Sequence, residues 1–178
     1  MNDERPGGRR RPFRVLPALV ALVVTITLPG EATRRSGAHF EGVEWVEWSA
    51  TQPPVNETHI FQGGINHRGR PVGFHSRPGG ADPPHARVVR VVRPPDRLGV
   101  YEAEVEIEDV KTGRWLGKRS TFYPDRLDRA AVVAAVLHAY AGRGAQDGMR
   151  FRGPSGLGFS IEGYLLADGR INTAYPLR

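Results

Sequence analysis

The segment from Val100 to Val110 constrains the fold of this chain more than any other. Tyr101, Ala103, Val105 and Ile107 alternate with Glu102, Glu104, Glu106 and Glu108. A period of two puts the apolar side chains on one face of a strand and the four carboxylates on the other. Lys111-Thr112-Gly113-Arg114 reads as a turn, so Trp115 to Tyr123 returns as the second arm of a hairpin. Valine-rich Ala86 to Arg93 predicts another strand. Four glutamates on one strand invite a metal or acid–base reading. Nothing else acidic converges on them, so they read as the solvated face of an antiparallel sheet.

Beyond this hairpin the pattern changes. Leu127, Ala131, Val132, Ala135, Val136 and Tyr140 recur near a period of 3.6 and predict one helix, capped by Asp125 and ended by Gly142 or Gly144. Phe159 to Leu166 and Arg170 to Tyr175 then form a second hairpin around the turn signal Asp168-Gly169. Alternation places Ile171, Thr173 and Tyr175 on one face of the last strand. Strands, one helix and strands again predict an α+β domain in which antiparallel β-hairpins pack with one main helix. Arg77 to Pro84 (RPGGADPP) reads as a loop and Thr51 to Val55, with Pro53-Pro54, as a linker. Val43, Trp45 and Trp48 precede it as part of a strand or short helix against the core.

The length of 178 residues suits a single domain, and 39% apolar residues suffice for a core. With no cysteine, disulfides, cysteine–zinc sites and a thiol nucleophile are excluded. Five arginines between Arg5 and Arg14 precede the apolar run Val15 to Leu28. That run is shorter than the roughly 20 residues of a membrane-spanning helix and matches the roughly 7–15 of a signal peptide. The expected organisation is a leader over residues 1–32, an N-terminal segment and linker over 33–57, and a domain over 58–178. A processed chain would be secreted and carry no stable membrane anchor. Arg10-Arg11-Pro12-Phe13 resembles a twin-arginine export signal. Without residues 1–32 the chain holds 20 basic and 16 acidic residues, a formal +4. A field this mild leaves any binding of a polyanion to a local patch.

The residue types able to carry chemistry are concentrated. The histidines are His39, His59, His67, His75, His85 and His138, and four of them lie between His59 and His85. Histidine both takes and gives a proton near neutral pH. Cleaving RNA through its own 2′-hydroxyl needs one such group to deprotonate that hydroxyl and another to protonate the departing 5′-oxygen. It also needs a cation for the extra charge of the transition state. A zinc site is the rival use, but the eight-residue spacings of His59, His67 and His75 match no familiar ligand pattern, and no acid lies between them. His138, on the helix, is read as a packed or surface side chain. The two lysines, Lys111 and Lys118, stand against 23 arginines. A lysine in such a chain marks a place for a compact point charge. Lys111 falls in the turn and Lys118 in the return strand.

Taken in order, several pieces resemble the bacterial branch of the EndoU nuclease family. They are His59-Ile60-Phe61 with Gly63; Gly73-Phe74-His75; Gly99-Val100-Tyr101-Glu102-Ala103; Lys118 with Ser120-Thr121-Phe122-Tyr123-Pro124; Gly163-Tyr164; and Gly169 with Ile171, Thr173, Tyr175 and Pro176. The chain departs from relatives at Ser76, where a second histidine is common, and at Asp125-Arg126-Leu127. The resemblance implies that His59 and His75 are general base and general acid in an order left open, with His67 an alternative to either. It implies Lys118 at the scissile phosphate, Thr173 on the base and Tyr175 on the sugar. It further implies a secreted endoribonuclease toxin that cuts single-stranded RNA next to uridine and leaves a 2′,3′-cyclic phosphate. No cofactor is expected, manganese stimulation included, and a cognate immunity protein would be a partner. A catalytically inactive module of the same fold that binds RNA or an inhibitor is the alternative. A serine hydrolase is disfavoured by the absence of G-x-S-x-G.

Overall fold

The computed structural model describes residues 46–144 and 148–178. The leader, His39, Val43 and Trp45 lie outside them. The elements in chain order are α1 (Glu57–Phe61), β1 (Gly64–Ile65), β2 (Pro71–Val72), β3 (Ala86–Arg93), β4 (Tyr101–Asp109), β5 (Arg114–Phe122), α2 (Arg129–Ala141), β6 (Arg150–Pro154), β7 (Ser160–Leu165) and β8 (Ile171–Pro176). The domain is α+β: two antiparallel three-stranded sheets, β3-β4-β5 and β6-β7-β8, a short β1-β2 ladder, and one main helix.

The alternation in β4 is realised residue by residue. Tyr101, Ala103, Val105 and Ile107 are buried and pack with Phe74, Ile65 and Phe122. The glutamates on the other face meet a ladder of arginines and one histidine: Glu106 with Arg87 at 2.6 Å, Glu104 with Arg90 at 2.8 Å, Glu102 with Arg93 at 3.3 Å, and Glu108 with His85 at 2.9 Å. Exposed pairs like these contribute little each, but they leave the carboxylates engaged across the sheet.

A second core lies between α2 and the C-terminal sheet, where Val132, Val136 and Ala139 meet Phe151, Ile161 and Ala174. The helix starts later than expected. Asp128, not Asp125, is its N-cap, accepting from Ala131 N at 2.7 Å. Asp125 instead accepts from Tyr101 Oη at 2.7 Å, in a turn closed by Leu127 N donating to Pro124 O. Leu127 therefore lies outside the helix, and the buried stripe runs through Val132, Val133, Ala135, Val136 and Ala139. Gly142 is the C-cap and His138 is exposed on the last turn.

The last strand also differs from simple alternation. Tyr164 pairs with Thr173 but Leu165 pairs with Ile171, so Asn172 is an extra, bulged residue. The bulge turns Ile171 away from the face of Thr173 and Tyr175 and into the core, where it is fully buried. There it meets the Pro53-Pro54 stretch: Ile171 N donates to Pro54 O and Asn56 N to Ile171 O, both at 2.9 Å. Val55 is fully buried beside them.

Candidate active site

His59 stands on α1, a helix of five residues that its cap makes possible. Asn56 Oδ1 accepts from His59 N at 2.9 Å, and Asn56 Nδ2 donates to Asn172 Oδ1 at 3.2 Å, which ties the helix start to β8. His75 arrives on the segment after β2. Phe74 N donates to His59 O at 2.9 Å and His75 N to Ile60 O at 2.7 Å, so this segment is laced along the end of α1. The approach requires Gly73. Its φ is 75°, and a Cβ there would lie 2.2 Å from His59 O. Phe74 follows at φ 59°, a left-handed conformation unfavourable for a bulky side chain. It is held there by full burial and an edge-on contact with Phe122, ring centroids 5.1 Å apart. Strain of this kind gathers where a side chain must be aimed.

Lys118 comes from β5, and its register explains its environment. It pairs with Val105, as Ser120 pairs with Ala103 and Phe122 with Tyr101. Lys118 thus occupies the inward face of the hairpin, where an apolar residue is the ordinary choice. Its ammonium donates to Gly73 O at 2.9 Å and to Ser120 Oγ. Ser120 Oγ also donates to Gly73 O, at 3.2 Å. Gly73 is therefore in contact with His59 on one side and Lys118 on the other.

The structure brings His59, His75, Lys118 and Tyr175 together. The imidazole rings of His59 and His75 are nearly parallel with centroids 6.4 Å apart, and the Tyr175 ring lies 5.2 Å from that of His75. His75 Nδ1 is 3.1 Å from Thr121 O. A carbonyl only accepts, so Nδ1 carries the proton and Nε2 keeps a lone pair in the neutral ring. Thr173 shares the Tyr175 face, and its Oγ1 is shielded from solvent without a hydrogen-bond partner. Tyr175 Oη donates to Glu162 Oε1 at 2.6 Å. Glu162 is not singled out by the sequence, and Gly73, Ser120 and Thr121 enter it only as pieces of the family pattern, with no role attached. The inward register of Lys118 and Ser120 in the β5 alternation was the available signal. His67 is exposed in the β1–β2 turn, and His85 faces Glu108 on the outer sheet surface.

Electrostatics follow from burial. His59, ordinarily at 6.5, is lowered to about 4, first by burial and then by the Lys118 charge. His75 is lowered well below its usual value by burial, then by Lys118 and His59, against a smaller raising by the Thr121 bond. Burial lowers Lys118 from 10.5 to about 8. At neutral pH the unliganded site therefore holds two neutral imidazoles and one ammonium. The ammonium is poorly solvated and thus a strong attractor for an anion. Burial raises the Tyr175 phenol, and the adjoining carboxylate adds to this. Among the described residues no three His, Asp or Glu side chains gather as ligands for a metal ion. A cleft of about 660 Å³, lined by Phe61, Gln62, Ser76, Asp82, His85 and Arg129 among others, is separate from the trio. A phosphodiester is small, and converging donors and charge define its site better than volume does.

Known proteins add to this geometry. The bacterial EndoU nuclease family matches residues 54–178. A protein named Toxin from Bacillus cereus is 28% identical over 133 residues, covering 69% of this chain and 22% of that protein. The chain spans about a fifth of the length of this relative. No solved structure matches.

Proposed function

The chain belongs to the bacterial EndoU nuclease family, and from that premise we propose that it cleaves single-stranded RNA by 2′-hydroxyl transesterification at His59, His75 and Lys118. The observation that carries the reading is the pair of imidazoles 6.4 Å apart beside a largely desolvated lysine ammonium. His75 Nε2, whose lone pair is set by the Nδ1 bond to Thr121 O, takes the proton of the ribose 2′-hydroxyl. The 2′-oxygen attacks phosphorus, the bond from phosphorus to the 5′-oxygen breaks, and protonated His59 gives its proton to that oxygen. The products are a 2′,3′-cyclic phosphate and a 5′-hydroxyl. An anionic phosphodiester between the rings opposes the Lys118 field and raises the pKa of His59 toward the range in which it is an acid.

Lys118 has three donors, two of them occupied by Gly73 O and Ser120 Oγ. The third serves a phosphoryl oxygen, and the charge stabilises the phosphorane-like transition state. Tyr175 packs on the ribose. Thr173 Oγ1 lacks a protein partner, and after rotation about χ1 it meets the edge of a uracil. No metal is assigned a step. The name of the Bacillus cereus relative supports a toxin role for this domain, exported by the leader over residues 1–32 and neutralised in the producing cell by an immunity protein.

The test is cleavage of a uridine-containing oligonucleotide by the purified protein in EDTA. His59→Ala and His75→Ala should each abolish it while the circular dichroism spectrum stays that of the wild type. A folded wild type that binds RNA but cuts none would replace this reading with that of an inactive binding module.

A further inference from the structure

The open face of the C-terminal sheet continues from Tyr175 away from the histidines. Strand register aligns two rows of side chains across it. One row is Arg152, Glu162 and Tyr175; the other is Arg150, Tyr164 and Thr173. The opposite face of the same strands is core, with Phe151, Ile161 and Ala174 buried. Neighbouring strands lie about 4.8 Å apart, so β6 is about 10 Å from Tyr175. Tyr164 is 38% exposed, unusual for a large apolar ring in this domain. Arg152 is 63% exposed at its side chain, and Arg150 flanks it.

Glu162 is the odd member, a carboxylate only 7% exposed on a face otherwise aromatic and basic. It accepts from Tyr175 Oη at 2.6 Å and from Arg152 Nη2 at 2.8 Å, with Tyr164 Oη at 3.5 Å. Burial raises its carboxyl, but the bonds from Tyr175 and Arg152 and the arginine charges outweigh this and keep it ionised. It thus fixes both phenol tips and one arginine in the plane of the face. Arg152 commits one of its five donors to Glu162 and directs the rest outward.

Resting on the nuclease reading above, we propose that this face is a substrate track for the nucleotides flanking the one Tyr175 holds, on the same RNA strand. Tyr164 stacks a neighbouring base and Arg152 contacts a neighbouring phosphate. Charge complementarity and continuity with Tyr175 argue for this occupant. A stacking ring beside a cation holds an unpaired strand with little regard for sequence. The enzyme then prefers RNA several nucleotides long to a dinucleotide.

The experiment separates the track from the chemistry by using RNA that cannot be cut. A dinucleotide and an octanucleotide, each with 2′-deoxyuridine at the cleavage position, are titrated against the full chain by fluorescence anisotropy, and all-ribose versions are followed for cleavage in parallel. The octanucleotide should bind at least about tenfold more tightly, and Tyr164→Ala should remove most of that advantage. Tyr164→Phe should keep it, which separates stacking from damage to the fold. Arg152→Ala should lower the slope of log affinity against log salt by about 0.7, as for one lost single-strand phosphate contact. Arg114→Ala, at the far hairpin turn, should change nothing. Equal affinity for the two lengths, or unchanged length preference in Tyr164→Ala, overturns the track, even if the all-ribose RNA is cut. Length-dependent binding without cleavage upholds the track and removes the nuclease reading instead.

Discussion

Lys118→Met should make the protein more stable and inactive at once. Burial lowers the Lys118 ammonium from 10.5 to about 8. At neutral pH both folded and unfolded chains carry the proton, but the folded one carries it at a cost. At roughly 1.4 kcal/mol per unit, that cost is about 3 kcal/mol. A thioether of similar length carries no charge and suits the inward face beside Val105. It forfeits the bonds to Gly73 O and Ser120 Oγ, about 1 kcal/mol each, though the Gly73 carbonyl keeps Ser120 Oγ at 3.2 Å. The expected net gain at pH 7 is about 1 kcal/mol.

The sign with pH is fixed by the same shift. Between pH 8 and 10.5 the unfolded wild type holds more protons than the folded, so wild-type stability rises with pH through this window. The methionine variant has no such component, and its advantage should fade toward the upper end. Urea unfolding of both proteins at neutral pH and near pH 10 reads this directly. Cleavage by Lys118→Met should fall about 100- to 1000-fold, the usual loss for one donor to developing charge. A variant less stable than wild type at pH 7, or an advantage that does not shrink with pH, would refute the reasoning.

Three further outcomes follow from the geometry. His59 takes its proton at about 4 when folded and at 6.5 when unfolded, and His75 shifts in the same direction. Stability should therefore fall as pH drops from 6.5 through about 4, with His59 contributing about 3 kcal/mol; a His59→Gln protein that keeps the whole acid slope in urea titrations would contradict this. Gly73→Ala puts a methyl 2.2 Å from His59 O at a positive φ and should cost about 3 kcal/mol, read by thermal unfolding; a melt like that of the wild type would show that the approach is not tight. Glu162→Gln replaces the ionised acceptor of Tyr175 Oη by a neutral one and should raise KM about fivefold with kcat nearly kept, from a loss of about 1 kcal/mol; a fall in kcat at constant KM would mean that Glu162 acts in the chemical step.

The parts of this fold legible in the sequence are those with a long regular period. β3, β4 and β5 lie where valine content and alternation put them, and α2 occupies most of its stripe. α1 has five residues, too few for a period to emerge, although Asn56 and Glu57 carried the start signals of a helix. β6 was missed because Arg150-Phe151-Arg152-Gly153-Pro154 has a single large apolar residue, Phe151. The Asn172 bulge cannot be read from alternation, which assumes one residue per step, so Ile171 was assigned to the wrong face. Asp125 and Asp128 are equally good caps by composition, and the tertiary bond from Tyr101 takes the first. In the site, histidines and lysine were visible as residue types in a familiar order. The groups that orient them were not: Thr121 acts through its backbone, Glu162 through a register set by strand pairing, and Gly73 through a contact between distant segments.

The chemistry of the cut end shows which oxygen attacks phosphorus. Wild-type protein is incubated in EDTA with an oligonucleotide containing one uridine, beside the same oligonucleotide carrying 2′-deoxyuridine there, and the fragments are weighed by mass spectrometry. The upstream fragment should end in a 2′,3′-cyclic phosphate, the downstream fragment should begin with a 5′-hydroxyl, and the deoxy strand should stay intact. Cleavage of the deoxy strand, or a 5′-phosphate on the downstream fragment, would mean that water rather than the 2′-oxygen attacks phosphorus, and the roles given to His59 and His75 would be wrong.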